Sequence, residues 1–73
     1  MAMFKYRVQF AHVTFPSITI TVNVERSVKP ADAYDVAHVF IAQAKDSASA
    51  KCIDLADYRV RRILHRDRII AAF

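Results

Sequence analysis

Glycine is absent from this 73-residue chain. Phosphate-cradling loops of the dinucleotide- and NTP-binding kinds need glycine for their turn geometry and for close backbone approach, so both are excluded. Cysteine occurs once, at Cys52, which rules out an internal disulfide and leaves packing as the source of stability. No apolar run approaches the ~20 residues that a membrane-spanning helix requires. The N-terminal stretch Met1-Ala2-Met3-Phe4-Lys5-Tyr6-Arg7 carries charges among its apolar residues and does not read as a signal peptide. The expected location is therefore the cytoplasm, with no membrane association.

What is present argues for a folded chain. Apolar residues make up 55% of it, and 11 Lys/Arg against 7 Asp/Glu leave a net charge of +4. Disorder needs the opposite combination, low hydrophobicity with high net charge. The length suits one small domain spanning residues 1–73.

Phe4, Tyr6, Val8 and Phe10 alternate with Lys5, Arg7 and Gln9, and Ile18, Ile20, Val22 and Val24 alternate with Thr19, Thr21, Asn23 and Glu25. β-Branched and aromatic residues with period two predict two half-buried strands. Pro16 has no N–H for a ladder and marks His12 to Ser17 as the connection, so the strands should pair antiparallel. The period then changes. Pro30 fits the first turn of a helix, capped by Ser27 or Lys29, and Asp32 and Asp35 favour its positive end. Ala33, Val36, Ala37, Phe40, Ile41 and Ala44 fall on one arc, which predicts an amphipathic helix ending near Ala44 to Ser47, with Ser47-Ala48-Ser49-Ala50 as its exit.

The last third reads two ways. Tyr58-Arg59-Val60 alternates, then slips register at Arg61-Arg62 as a β-bulge would require. Ile53, Ala56, Asp57, Val60, Ile63 and Leu64 also fit a helical stripe. A strand over residues 58–64 is preferred, because a two-stranded hairpin under one helix is marginal without a third partner. His65-Arg66-Asp67-Arg68 is then a turn, and Ile69 to Phe73 a short strand or docked tail. The expected fold class is α+β, an antiparallel sheet of three or four strands with one helix on one face, in the order ββαβ(β).

A search for catalytic and metal-binding constellations yields nothing. His12, His38 and His65 are scattered, and one cysteine with them does not supply the spaced ligand set of a zinc site. Cys52 is expected to be a small buried hydrophobe rather than a nucleophile paired with a distant histidine. His65-Arg66-Asp67 spells part of a kinase catalytic loop, but a kinase needs a far longer chain and a glycine loop. No catalytic residue, metal or cofactor is expected.

Charge is the more informative feature. Lys5, Arg7, Arg26 and Lys29 face one Glu25 in the first thirty residues; Asp32, Asp35 and Asp46 make the helix acidic; the last third carries Lys51 and five arginines against Asp54, Asp57 and Asp67. Those arginines, Arg59, Arg61, Arg62, Arg66 and Arg68, lie within ten residues. Guanidinium groups bind carboxylates and phosphates bidentately, so with Lys5 and Arg7 they form the candidate surface for an acidic partner. The competing reading is a solvated strand face that discourages edge aggregation. Nucleic acid is the second candidate partner. Single-strand binders present aromatic rings beside their basic groups, whereas the expected open face of Lys5, Arg7, Gln9, Thr19, Thr21, Asn23, Arg59 and Arg61 has none. The apolar tail from Ile69 to Phe73 either docks in the core or offers an edge for strand addition, so the chain is a monomer or an edge-strand homodimer.

Over residues 18–63 the layout resembles small bacteriophage proteins that disable host machinery, the T7-type inhibitors of host RNA polymerase, with small anti-CRISPR proteins of similar design. The shared features are a Thr/Val strand, a helix with alanines such as Ala33 and Ala37, and the strand Tyr58-Arg59-Val60-Arg61-Arg62-Ile63. In the T7-type family, arginines of this strand contact the polymerase. The first such position falls on Arg62; the second falls on Leu64, a departure, and the helix begins two residues later. The resemblance implies a protein-binding inhibitor or modulator of a larger host complex, working in the host cytoplasm.

Overall fold

Two β-hairpins joined by a helical arm make up the chain, and the computed structural model describes residues 2–73 of it. The first hairpin pairs β1 (Phe4–His12) with β2 (Thr19–Arg26), and the second pairs β3 (Tyr58–His65) with β4 (Arg68–Ala72). Between them run α1 (Pro30–Ala33), a 3-10 turn (Tyr34–Val36) and α2 (Ala37–Ala50). β1 also pairs antiparallel with β3, so a single four-stranded sheet forms in the order β2-β1-β3-β4. The fold is α+β. Residues from Tyr58 onward are extended rather than helical, and the fourth strand is formed.

β1 pairs with a strand on each of its edges. Tyr6, Val8 and Phe10 are fully buried, and the register sets Val24 and Val22 beside the first two and Ile63 beside Val8. The helical arm closes this face with small side chains, Ala33, Ala37, Ala44 and Ala48, which let the backbone come close. Phe40 is the one large buried residue of the arm and stacks on Tyr6, with ring centroids 4.7 Å apart and planes 25° from parallel. α2 lies chiefly over β2 and β1. Arg26 of β2 helps hold it there, donating from Nη1 to Gln43 Oε1 at 2.7 Å.

At the front of the arm, Lys29 rather than Ser27 occupies the capping position, with extended backbone and no side-chain hydrogen bond. Pro30 follows at the first helical position, where its missing N–H leaves no orphan donor. At the other end the expected stop is wrong. The helix continues to Ala50, because Ala48 lies one turn beyond Ala44 on the buried stripe and alanine is the strongest helix former. It ends when Cys52 N–H donates to the Ser49 carbonyl at 3.0 Å and Ile53 N–H to the Ala48 carbonyl at 2.9 Å. This closure needs a left-handed residue, normally glycine, and Cys52 fills the place at φ 60°. Cys52 is consequently exposed, not buried as its residue type suggested. Replacing it with glycine, Cys52→Gly, should stabilise the fold by about 0.5–1 kcal/mol, the left-handed penalty less the extra chain entropy of glycine. Thermal unfolding would read this as a midpoint rise of roughly 2–8 °C.

Tyr6 joins the arm to the sheet in a second way, its hydroxyl donating to the Val28 carbonyl. Burial, and secondarily the nearby Asp32 carboxylate, hold its phenol pKa above the ordinary value of 10.0. The neutral phenol is therefore favoured by folding. Its contribution is complete below pH ~10 and is lost as the pH climbs through the raised folded value. Tyr6→Phe should lower stability at neutral pH by about 0.5–1.5 kcal/mol for the lost hydrogen bond, yet flatten the decline above pH ~10 in denaturation curves.

Candidate functional site

The arginine-rich strand owes its geometry to one extra residue. Gln9 pairs with Arg62 and Phe10 with Val60, leaving Arg61 unmatched as a β-bulge at the point where the sequence slips. The insertion lets Val60 and Ile63, three residues apart, both face the helical arm, because Phe10 and Val8 opposite them do so. It also changes which arginines share the open face. Directly opposed residues on paired strands project to the same side. Arg62 beside Gln9 and Arg59 beside Ala11 therefore join Lys5 and Arg7, while Arg61 sits in the bulge instead of on this face as expected. A second irregularity places Ile70 between the pairs Ile63–Ala71 and Leu64–Ile69.

The open face thus carries Lys5, Arg7, Arg62 and Arg59 across β1 and β3, with Thr19, Thr21, Asn23 and Glu25 along β2. Arg7 and Arg62 are diagonal neighbours, a relation that sets side chains ~7–8 Å apart. Between them Gln9 keeps a buried Oε1 with no hydrogen-bond partner. No strand residue of this face is aromatic. Arg66 and Arg68 lie apart from it, around the β3–β4 turn, where Arg68 pairs with His65. The seven candidate cations therefore form a four-residue stripe, a bulge residue and a turn pair.

Their electrostatic state differs by position. Arg7 Nη2 meets Asp67 Oδ1 at 3.1 Å, with the side chains 43% and 97% exposed. Among the described residues, Arg59, Arg61, Arg62, Arg66 and Arg68 take part in no ion pair and no side-chain hydrogen bond. Asp67 reaches Arg7 because the two-residue turn puts both Arg66 (φ 50°) and Asp67 (φ 63°) in the left-handed region. That is the type I′ conformation, which matches the twist of a hairpin and usually recruits Asn-Gly. With no glycine in the chain, Arg66 and Asp67 adopt it at a steric cost.

Two of the three histidines, His65 and His12, tie strands and loop together. His65 Nδ1 donates to the Lys5 carbonyl at 2.9 Å, and its ring lies against Phe4 and Tyr6. His12 Nδ1 accepts the N–H groups of Thr14 (3.1 Å) and Phe15 (3.2 Å), and its ring packs against Phe15 and Tyr58. This fastens the β1–β2 loop, which nonetheless leaves Val13, Phe15 and Ile18 exposed. Sequence reasoning treated that loop only as a connection; the available signal was the break in alternation around Pro16. Among the described residues no group of three or more His, Cys, Asp or Glu side chains could hold a metal ion, and no helix is long and apolar enough to cross a membrane.

No protein-family model, curated protein or solved structure matches the chain.

The Arg7–Asp67 pair is exposed and should contribute little to stability. Asp67→Asn, which also suits the left-handed position, should change the unfolding free energy by less than about 1 kcal/mol while freeing Arg7. Denaturant unfolding of the variant checks this directly.

Proposed function

We propose that this protein is a non-enzymatic binding module that docks on the acidic surface of a larger protein complex, as an inhibitor or modulator of the phage type it resembles. The observation that carries the reading is the unpaired state of the five arginines between positions 59 and 68, in a chain with seven carboxylates of its own. A guanidinium without an internal partner keeps its forked donors for a carboxylate on another molecule. The polarised charge supports the same reading, since a basic β3–β4 hairpin and an acidic helix would steer and orient an acidic partner during encounter. Arg62, the position that matches the inhibitor motif, shares the uncovered face with Lys5, Arg7 and Arg59.

A second reading, nucleic-acid binding with little sequence preference, draws on that same stripe of cations. Phosphate contact alone gives weak and strongly salt-dependent affinity. The face lacks rings for base stacking, and Glu25 and Asp67 intrude on it, so the protein partner is favoured.

Charge reversal tests the proposal. Arg61→Glu with Arg62→Glu should lower recovery of a specific protein partner by at least ~10-fold in affinity, about 1.4 kcal/mol. Unchanged recovery of every partner would remove the arginine strand from the mechanism. A gel shift with single-stranded DNA at low salt that vanishes as salt rises would favour the second reading.

A further inference from the structure

α2 leaves part of its own side of the sheet uncovered. Beyond it, half-buried Tyr58 and Val60 of β3 and Phe73 after β4 line a groove of about 640 Å³. Phe73 is 62% exposed although its backbone N–H is fixed on the Arg61 carbonyl at 2.9 Å. Lys45 from α2 and Arg61 from the bulge of β3 line the same groove, Arg59 borders it from the open-face side, and no Asp or Glu side chain lines it. An apolar floor under a rim of one charge sign specifies its occupant. A purely apolar ligand would leave the cations without partners, and a purely acidic one would leave the floor wet.

We propose that this groove receives an apolar side chain of an extended acidic peptide, with flanking carboxylates meeting Lys45, Arg59 and Arg61. The inference rests on the acidic-partner reading and adds to it the seat of the anchor. A peptide fits better than a compact ligand for two reasons. Phe73, which lines the groove, directly follows the edge strand β4, and Tyr58 to Val60 of β3 lie beyond the residues that β4 pairs, so an extended chain can continue the line of β4 along their free edge. At its far end are Val13 and Pro16 of the β1–β2 loop, which His12 Nδ1 and the bond from Val13 N–H to the Asp57 carbonyl (2.9 Å) hold in place before any partner arrives. A wall that is already ordered loses little freedom on binding. Lys45 was not among the cations singled out from the sequence; it enters because α2 carries it to the rim.

Fluorescence anisotropy with two labelled decapeptides on the full chain tests this. One alternates Glu with Ser, and the other replaces two central Ser with Leu and Phe. The anchored peptide should bind at least ~10-fold more tightly than the unanchored one. Phe73→Ala should remove most of that difference without changing the unanchored affinity, and Lys45→Glu should weaken both; both side chains are exposed, so the fold should tolerate the changes. Equal affinity for the two peptides would overturn the groove while leaving the acidic-partner reading intact. Binding of neither peptide at low salt would overturn both. Displacement of the anchored peptide by decanoate at equal or higher affinity would overturn the peptide assignment in favour of a small amphipathic acid.

Discussion

The stack of Phe40 on Tyr6 is the contact on which the rest of this small structure depends. The helical arm is otherwise buried through alanines, which permit close approach but remove little apolar area from water. Phe40 supplies the one large side chain the arm inserts, and Tyr6 receives it at the centre of the sheet while anchoring Val28 just before the arm begins. Deleting a buried phenylalanine ring from a core costs about 3–5 kcal/mol. At ~0.05–0.15 kcal/mol per residue, that is a large share of what a chain of this size has. The two hairpins are ordered together because β1, which carries Tyr6, Val8 and Phe10, pairs on both its edges.

A single short arm over a four-stranded sheet has a further result: apolar and charged groups are left in contact with solvent side by side. One face of the sheet is open entirely, and carries the cationic stripe. The other is closed over β2 and β1 but thinner toward β3 and β4, where Phe73 remains exposed. Arg59 and Arg61 of the second hairpin lie beside this exposed ring. They border apolar surface that the domain does not itself cover.

Much of this arrangement was readable from residue order, and the failures have physical causes. Alternation located β1 and β2 to within a residue or so at each end, Pro30 marked the start of the arm, and the slip at Arg61-Arg62 proved to be a bulge. Each of these signals is local. The lateral order β2-β1-β3-β4 is set by pairing between distant segments, which periodicity along the chain does not report. The end of α2 was misplaced because Ser47-Ala48-Ser49-Ala50 is compatible with both a helix and its exit, and contact of Ala48 with the core decided between them. Cys52 was misread for a related reason: the helix closure demanded a left-handed residue, and in a chain without glycine that demand leaves no compositional trace. The candidate surface was legible as a set of arginines but not as a geometry. The bulge moved Arg62 onto the open face in place of Arg61, and Asp67 engaged Arg7 only through a turn whose conformation its residues do not advertise.

The bulge also frees one residue of β3 from the constraint on its neighbours. In a strand without Arg61, Val60 and Ile63 would stand two residues apart and share a side with no irregularity, opposite the same Phe10 and Val8. Loss of that one codon would therefore leave the inward residues of β3 in place, as would exchanging its side chain. At this position both the extra length of backbone and the charge belong to the surface. Divergence of this chain can therefore retune the guanidinium, or drop it, without disturbing the interior.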